Sequence, residues 1–171
     1  IRYFETRRDL QLIIRIHPAE INGALPSRQR LKDEIDAAFP RLPDNVVVIP
    51  PEDPVSTYPI TELCDSVIIY NTKTGVELTS MGIPVIVAGE AWIRNKGFTR
   101  DARSVSEYIS MLDTLPVHKR MDEPMTTRAR RYAFHFFYRR MIPVACMNPV
   151  PGTWPPFEVK SKGLELIRRG G

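Results

Sequence analysis

An α/β fold is predicted, with a Rossmann-like parallel sheet covered by helices on both faces. Two observations carry it: short apolar runs rich in β-branched residues alternate with amphipathic helical stretches, and prolines, glycines and polar residues gather where each run ends. Length and composition agree. The chain has 171 residues, 43% of them hydrophobic and 26% charged, values that suit one folded domain and exclude a disordered tail, a collagenous repeat or a rod.

The elements follow in order. Residues 10–16 (LQLIIRI) form an apolar run bounded by Asp9 and His17-Pro18, which predicts a central strand buried on both faces. Residues 27–39 place Leu31, Ile35, Ala38 and Phe39 on one face, predicting a helix with Ser27 as N-cap and Pro40 and Pro43 as its breakers. Residues 46–49 (VVVI) read as a second strand ended by Pro50-Pro51, and 57–64 as a short helix with Pro59 in its first turn. Residues 66–70 (SVIIY) are the third strand. A helix over 72–81 closes at Gly82, and 84–88 (PVIVA) is the fourth strand. Residues 104–115 read as another amphipathic helix. The segment 125–141 sets Ala129, Tyr132, Ala133, Phe136, Phe137, Arg140 and Met141 on one stripe, predicting a long closing helix whose aromatics pack against the sheet.

Of the 16 prolines, eight precede Thr61 and five follow Met141, so both ends should be rich in loops. Residues 1–142 are therefore expected to form the Rossmann-like domain with its closing helix, and 143–171 a proline-rich extended segment. Cys64 and Cys146 form no metal-ligand pattern and read as reduced, buried thiols. No apolar run reaches the roughly 20 residues that span a bilayer, and no signal-peptide pattern opens the chain, so a cytoplasmic place is expected, including the inner face of the membrane. Because the first residue is Ile1, the chain is expected to be a piece of a longer one.

The net charge of +4 is local. Residues 118–140 hold seven Lys and Arg against Asp122 and Glu123, a net of +5, which leaves the remainder about neutral. Arg128, Arg131, His135 and Arg139 share one flank of the closing helix. Such a patch is either a solvated face or a contact for phosphate, anionic lipid or, less in keeping with the neutral remainder, nucleic acid.

In open α/β sheets ligands bind beyond the carboxyl ends of the strands. Here those ends are His17-Pro18, residues 50–53, the strand-to-helix junction 71–77 (NTKTGVE) and Gly89-Glu90. The junction offers backbone N–H groups, the Thr72 and Thr74 hydroxyls, the Lys73 cation, a Gly75 that lets a ligand approach the backbone, and Glu77 to accept from ribose hydroxyls. The alternative is a plain capped helix start. No Walker A order is present. His17 can donate to an oxyanion or simply cap its strand.

Read together, LIIRIHPAE, VVVIPPED, ITELCDSVIIYNTKTGVELTSMGIPVIVAGEAW and NKGFTRD resemble the C-terminal donor-binding half of GT-B glycosyltransferases, in particular the bacterial capsule polysaccharide biosynthesis proteins that include the β-Kdo transferases; the teichoic-acid glycerophosphotransferases are more distant. The resemblance covers about residues 10–115. It implies a nucleotide-sugar donor such as a CMP-linked sugar, held through His17 and Pro18, through Asn71, Thr72, Thr74 and Gly75 at the phosphate, through Glu77 at the ribose, and beside Glu90 and residues 95–101. Relatives often carry paired serines where this chain has Thr72-Lys73-Thr74. The resemblance further implies an inverting transferase of bacterial surface polysaccharide with no metal and no separate cofactor, and a glycan or glycolipid acceptor met at the cytoplasmic leaflet. It also implies an N-terminal half supplying the catalytic base, none being assignable here, so that this chain alone should turn over little. Lys73, Arg128 and Arg131 are the candidate phosphate or lipid contacts. Two other readings stay open: a non-catalytic module docking through the basic helix, and another nucleotide-sugar enzyme of the same fold, such as an epimerase.

Overall fold

The computed structural model describes residues 1–23, 27–141, 146–153 and 155–159. In chain order the elements are α1 (Arg2–Thr6), β1 (Leu12–Arg15), α2 (Ala19–Asn22), α3 (Leu31–Ala38), β2 (Val46–Ile49), α4 (Thr57–Leu63), β3 (Val67–Ile69), α5 (Thr74–Ser80), β4 (Val85–Val87), β5 (Arg100–Asp101), α6 (Val105–Leu112), α7 (Glu123–Phe134) running into a π turn (His135–Arg139), β6 (Met147–Pro149) and β7 (Phe157–Val159). The chain is mixed α/β. It divides into two compact units, one of Ile1–Leu12 with Pro54–Arg140, the other of Ile13–Asp53 with the described part of Met141–Gly171.

In the first unit β3, β4 and β5 form a parallel sheet in that order, with Val67, Ile68 and Ile69 beside Val85, Ile86 and Val87, and Ile86 and Val87 beside Arg100 and Asp101. β4 is central and buried throughout, as its wholly apolar sequence requires. Around it lies one apolar cluster that includes Ile69, Val76, Leu78, Ile83, Ile93, Phe98, Ala129 and Phe136. α5 ends in a left-handed Gly82 (φ 81°), with the Ile83 N–H donating to the Leu78 carbonyl at 3.0 Å, a stop that the sequence announces. The amino-terminal turn α1 is tied to this unit: the Tyr3 hydroxyl donates to Asp113 Oδ1 at 2.7 Å and Arg7 to the Leu115 carbonyl at 3.0 Å.

The closing helix begins earlier than its periodicity suggests, at Glu123. Asp122 caps it, accepting the Met125 N–H at 2.8 Å, and Pro124 lies in the first turn. It ends in a π turn, closed by the Arg140 N–H on the His135 carbonyl at 3.0 Å. Ala129 and Phe136 are buried and Tyr132, Ala133 and Phe137 pack on the same cluster. Arg140 and Met141, placed on the apolar stripe by sequence, are exposed; the Arg140 guanidinium lies 5.5 Å from the Phe136 ring centroid. Phe134 and Tyr138 likewise face solvent rather than the core, because they sit opposite Ala129 on the helix.

The second unit corrects the expectation of one continuous sheet. Among the described residues β1 and β2 pair with each other alone, as a two-stranded sheet. β1 is half-buried throughout instead of buried on both faces, with β2 as its one strand neighbour among those residues. Apolar runs identify strands but carry no label for their partners. α3 starts at Leu31, not near Ser27: the Glu20 carboxylate accepts the Leu31 N–H at 2.9 Å and so supplies the cap from a distant residue. Within the proline-rich segment two extended strands, β6 and β7, pair antiparallel, Asn148 beside Glu158. Residues 142–145, 154 and 160–171 of that expected tail lie outside the described residues. Cys146 is a buried free thiol; Cys64 is free and half-buried, its thiol pushed up by burial and donating to the Ile60 carbonyl at 3.2 Å.

Candidate functional site

Because β3, β4 and β5 are parallel, their carboxyl ends share one edge, and α5 starts there. That edge gathers Asn71, Thr72, Lys73, Thr74, Glu77 and Glu90 in the first unit. Asn71 and Lys73 are exposed, and Thr72, Thr74 and Glu77 are half-buried. The two threonines turn toward each other: Thr72 Oγ1 donates to Thr74 Oγ1 at 3.2 Å and accepts the Thr74 N–H at 3.3 Å, which makes a local cap for the helix start.

Gly75 is buried, and a Cβ there would lie 2.6 Å from Ile69 Cδ1 and 2.7 Å from Ile93 Cδ1. The missing side chain therefore answers to the close packing of α5 on the sheet, whereas the sequence reading ascribed it to ligand approach. Thr79, one turn on and fully buried, returns its hydroxyl proton to the Gly75 carbonyl at 2.8 Å.

Glu77 is oriented by a residue the sequence reading did not consider. The Tyr58 hydroxyl, brought over by α4, donates to Glu77 Oε2 at 2.8 Å, and the carboxylate in turn pushes the phenol above its ordinary range. One carboxylate oxygen is thus committed, and the other is left for a second donor. Tyr70, the residue after β3, is exposed, and its ring lies over Gly89, where a Cβ would stand 2.6 Å from the ring. Trp92 is exposed as well, while its ring packs 4.8 Å from that of Phe136 and its carbonyl accepts the Tyr132 hydroxyl at 2.6 Å. Neither aromatic has a pattern that periodicity could flag; each lies just past a strand end.

The β4 end is braced by Arg94, also unnoticed in the sequence. It donates to the Gly89 carbonyl at 2.8 Å and to the Ala102 carbonyl beyond β5, and pairs with Glu90 at 3.5 Å. Glu90 is otherwise exposed. The stretch 95–101 folds on Asp101, which accepts the Asn95 N–H and the Thr99 hydroxyl, each at 2.7 Å. Lys96 lies 5.9 Å from the Tyr132 ring, and Gly97 takes a left-handed φ of 78°.

His17 and Pro18 belong to the second unit, after β1. His17 is exposed; its Nδ1 accepts the Ala19 N–H at 3.0 Å, so the neutral ring carries its proton on Nε2 and can donate it outward. Pro18 precedes the first residue of α2, a turn unforeseen in the sequence. Of the basic candidates, Arg128 donates to the Gly97 carbonyl at 3.3 Å and Arg131 is exposed. Among the described residues no group of three His, Cys, Asp or Glu side chains is placed to hold a metal, and no helix is long and apolar enough to cross a membrane. No protein-family model, curated protein or solved structure matches the chain.

Proposed function

We propose that the chain is the donor-binding part of a GT-B-type glycosyltransferase of bacterial surface polysaccharide, taking a nucleotide-linked sugar, in the first place a CMP-linked one. The observation that carries this reading is the β3–α5–β4 arrangement: one sheet edge holds two hydroxyls, an oriented carboxylate and exposed aromatic rings. The motif order around it, HP after the first strand and TKTGVE after the third, supports the same reading.

Each residue then has a task. The Thr72 and Thr74 hydroxyls meet the phosphate, and Lys73 adds a cation beside it. The free oxygen of Glu77 accepts from the ribose hydroxyls, and Tyr58 keeps the carboxylate turned toward them. Tyr70 offers a face on which a base can stack. Hydroxyl and ammonium donors stabilise the negative charge that grows on the nucleotide as the glycosidic bond breaks. The acceptor, and the base that deprotonates it, belong to a partner half.

Titration calorimetry of the 171-residue chain with CMP, CDP, UDP and GDP tests this. CMP is expected to bind most tightly, and Lys73→Ala to weaken it. Preference for UDP or GDP would keep a transferase and change the sugar; heat from none of the four would overturn the reading for this chain.

A further inference from the structure

The outward face of α7 and its π turn lies outside the donor site and is chemically distinct from the rest of the surface. Residues 124–141 contain five arginines and no carboxylate. Opposite the buried Ala129, Phe134 is 57% and Tyr138 71% exposed, and their rings stack on each other at 5.4 Å and 25°. Arg130, Arg131, His135 and Arg139 line, with Thr127 and Phe134, a shallow hollow of about 510 Å³. Arg130 is tethered by its Nε–H on the Ser80 carbonyl at 3.0 Å, which leaves its terminal nitrogens outward. Among the described residues none of these arginines is in an ion pair.

We propose that this face docks on an anionic phospholipid bilayer. A stacked, exposed aromatic pair beside a cluster of arginines matches the boundary between phosphate headgroups and acyl chains: the rings enter the apolar side and the guanidinium groups stay with the phosphates. All the side chains that line the hollow come from one helix and its π turn, so it has a single wall, which fits a plane better than a peptide that needs a groove. Nucleic acid fits less well, because Phe134 and Tyr138 are closed on each other and leave no slot for a base between them. The inference is independent of the donor reading, since none of these side chains lies at the sheet edge.

Co-sedimentation with vesicles of phosphatidylcholine, alone or mixed with an equal part of phosphatidylglycerol, tests it on the whole chain. The protein is expected to bind the mixed vesicles and not the neutral ones, with affinity falling as salt rises. Arg131→Gln with Arg139→Gln should weaken binding by about fivefold per cation removed, and Phe134→Ser should weaken it independently of salt. All three replace exposed side chains, and unchanged nucleotide titration and circular dichroism would show that the fold is kept. Absence of binding to the mixed vesicles, binding indifferent to the arginine pair, or tighter binding of a single-stranded oligonucleotide than of the vesicles would each overturn the proposal.

Discussion

Phe98→Ala is expected to lower the stability of the first unit by about 3–5 kcal/mol, the usual cost of deleting a large buried aromatic ring. Phe98 is 1% exposed and belongs to the cluster that joins the parallel sheet to α5 and α7. Its ring lies 5.7 Å from that of Tyr132, so the substitution removes both apolar burial and an aromatic pair. Neighbouring side chains cannot close the gap easily, because Ile93 and Ile69 are already held by the close approach of Gly75. Urea unfolding followed by circular dichroism measures the loss as a lower midpoint at unchanged slope. Phe134→Ala, on an exposed ring, serves as the contrast and should shift stability by no more than about 0.5 kcal/mol.

Arg94→Ala is the second large effect, expected at about 2–4 kcal/mol. The Arg94 side chain is 12% exposed and spans two carbonyls, those of Gly89 and Ala102, which lie past the ends of adjacent strands. Removing it leaves two partly buried acceptors without their donors, and the ion pair with the exposed Glu90 adds little to that sum. Arg94→Lys should recover only a small part, because a single ammonium cannot present two donors in the fixed fork that the two carbonyls require. The same change loosens the loop carrying Glu90, so nucleotide affinity should fall with stability. Unfolding curves of the alanine and lysine variants side by side provide the measurement.

The elements that were legible from sequence are those whose apolar residues are consecutive and closed by proline or glycine. The strands at Val46–Ile49, Val67–Ile69 and Val85–Val87 and the helix stop at Gly82 are of this kind. β5 was not, because its two residues, Arg100 and Asp101, are polar and become a strand only by lying beside Ile86 and Val87. The partition into separate sheets was equally hidden, since β1 and β3 have similar composition and nothing local says that they do not share a sheet. At the candidate site, the place of Thr72, Thr74 and Glu77 at a strand-to-helix junction was readable. Their partners were not: Tyr58 reaches Glu77 across 19 residues, and Arg94 works through backbone carbonyls, which no side-chain pattern reveals. The closing helix was found by its period; Phe134 and Tyr138, which lie off its apolar stripe, were assigned to the core with the other aromatics, and the helix turns them to solvent.

Isothermal titration of CMP into the wild-type chain and into Glu77→Ala tests directly the proposal that the edge formed by β3, α5 and β4 binds a nucleotide through Glu77. The expected result is saturable binding by the wild type, weakened at least tenfold, or about 1.4 kcal/mol, in the variant, with an unfolding curve that shows the fold retained. Equal affinity in the two proteins, or no binding by the wild type, would contradict it.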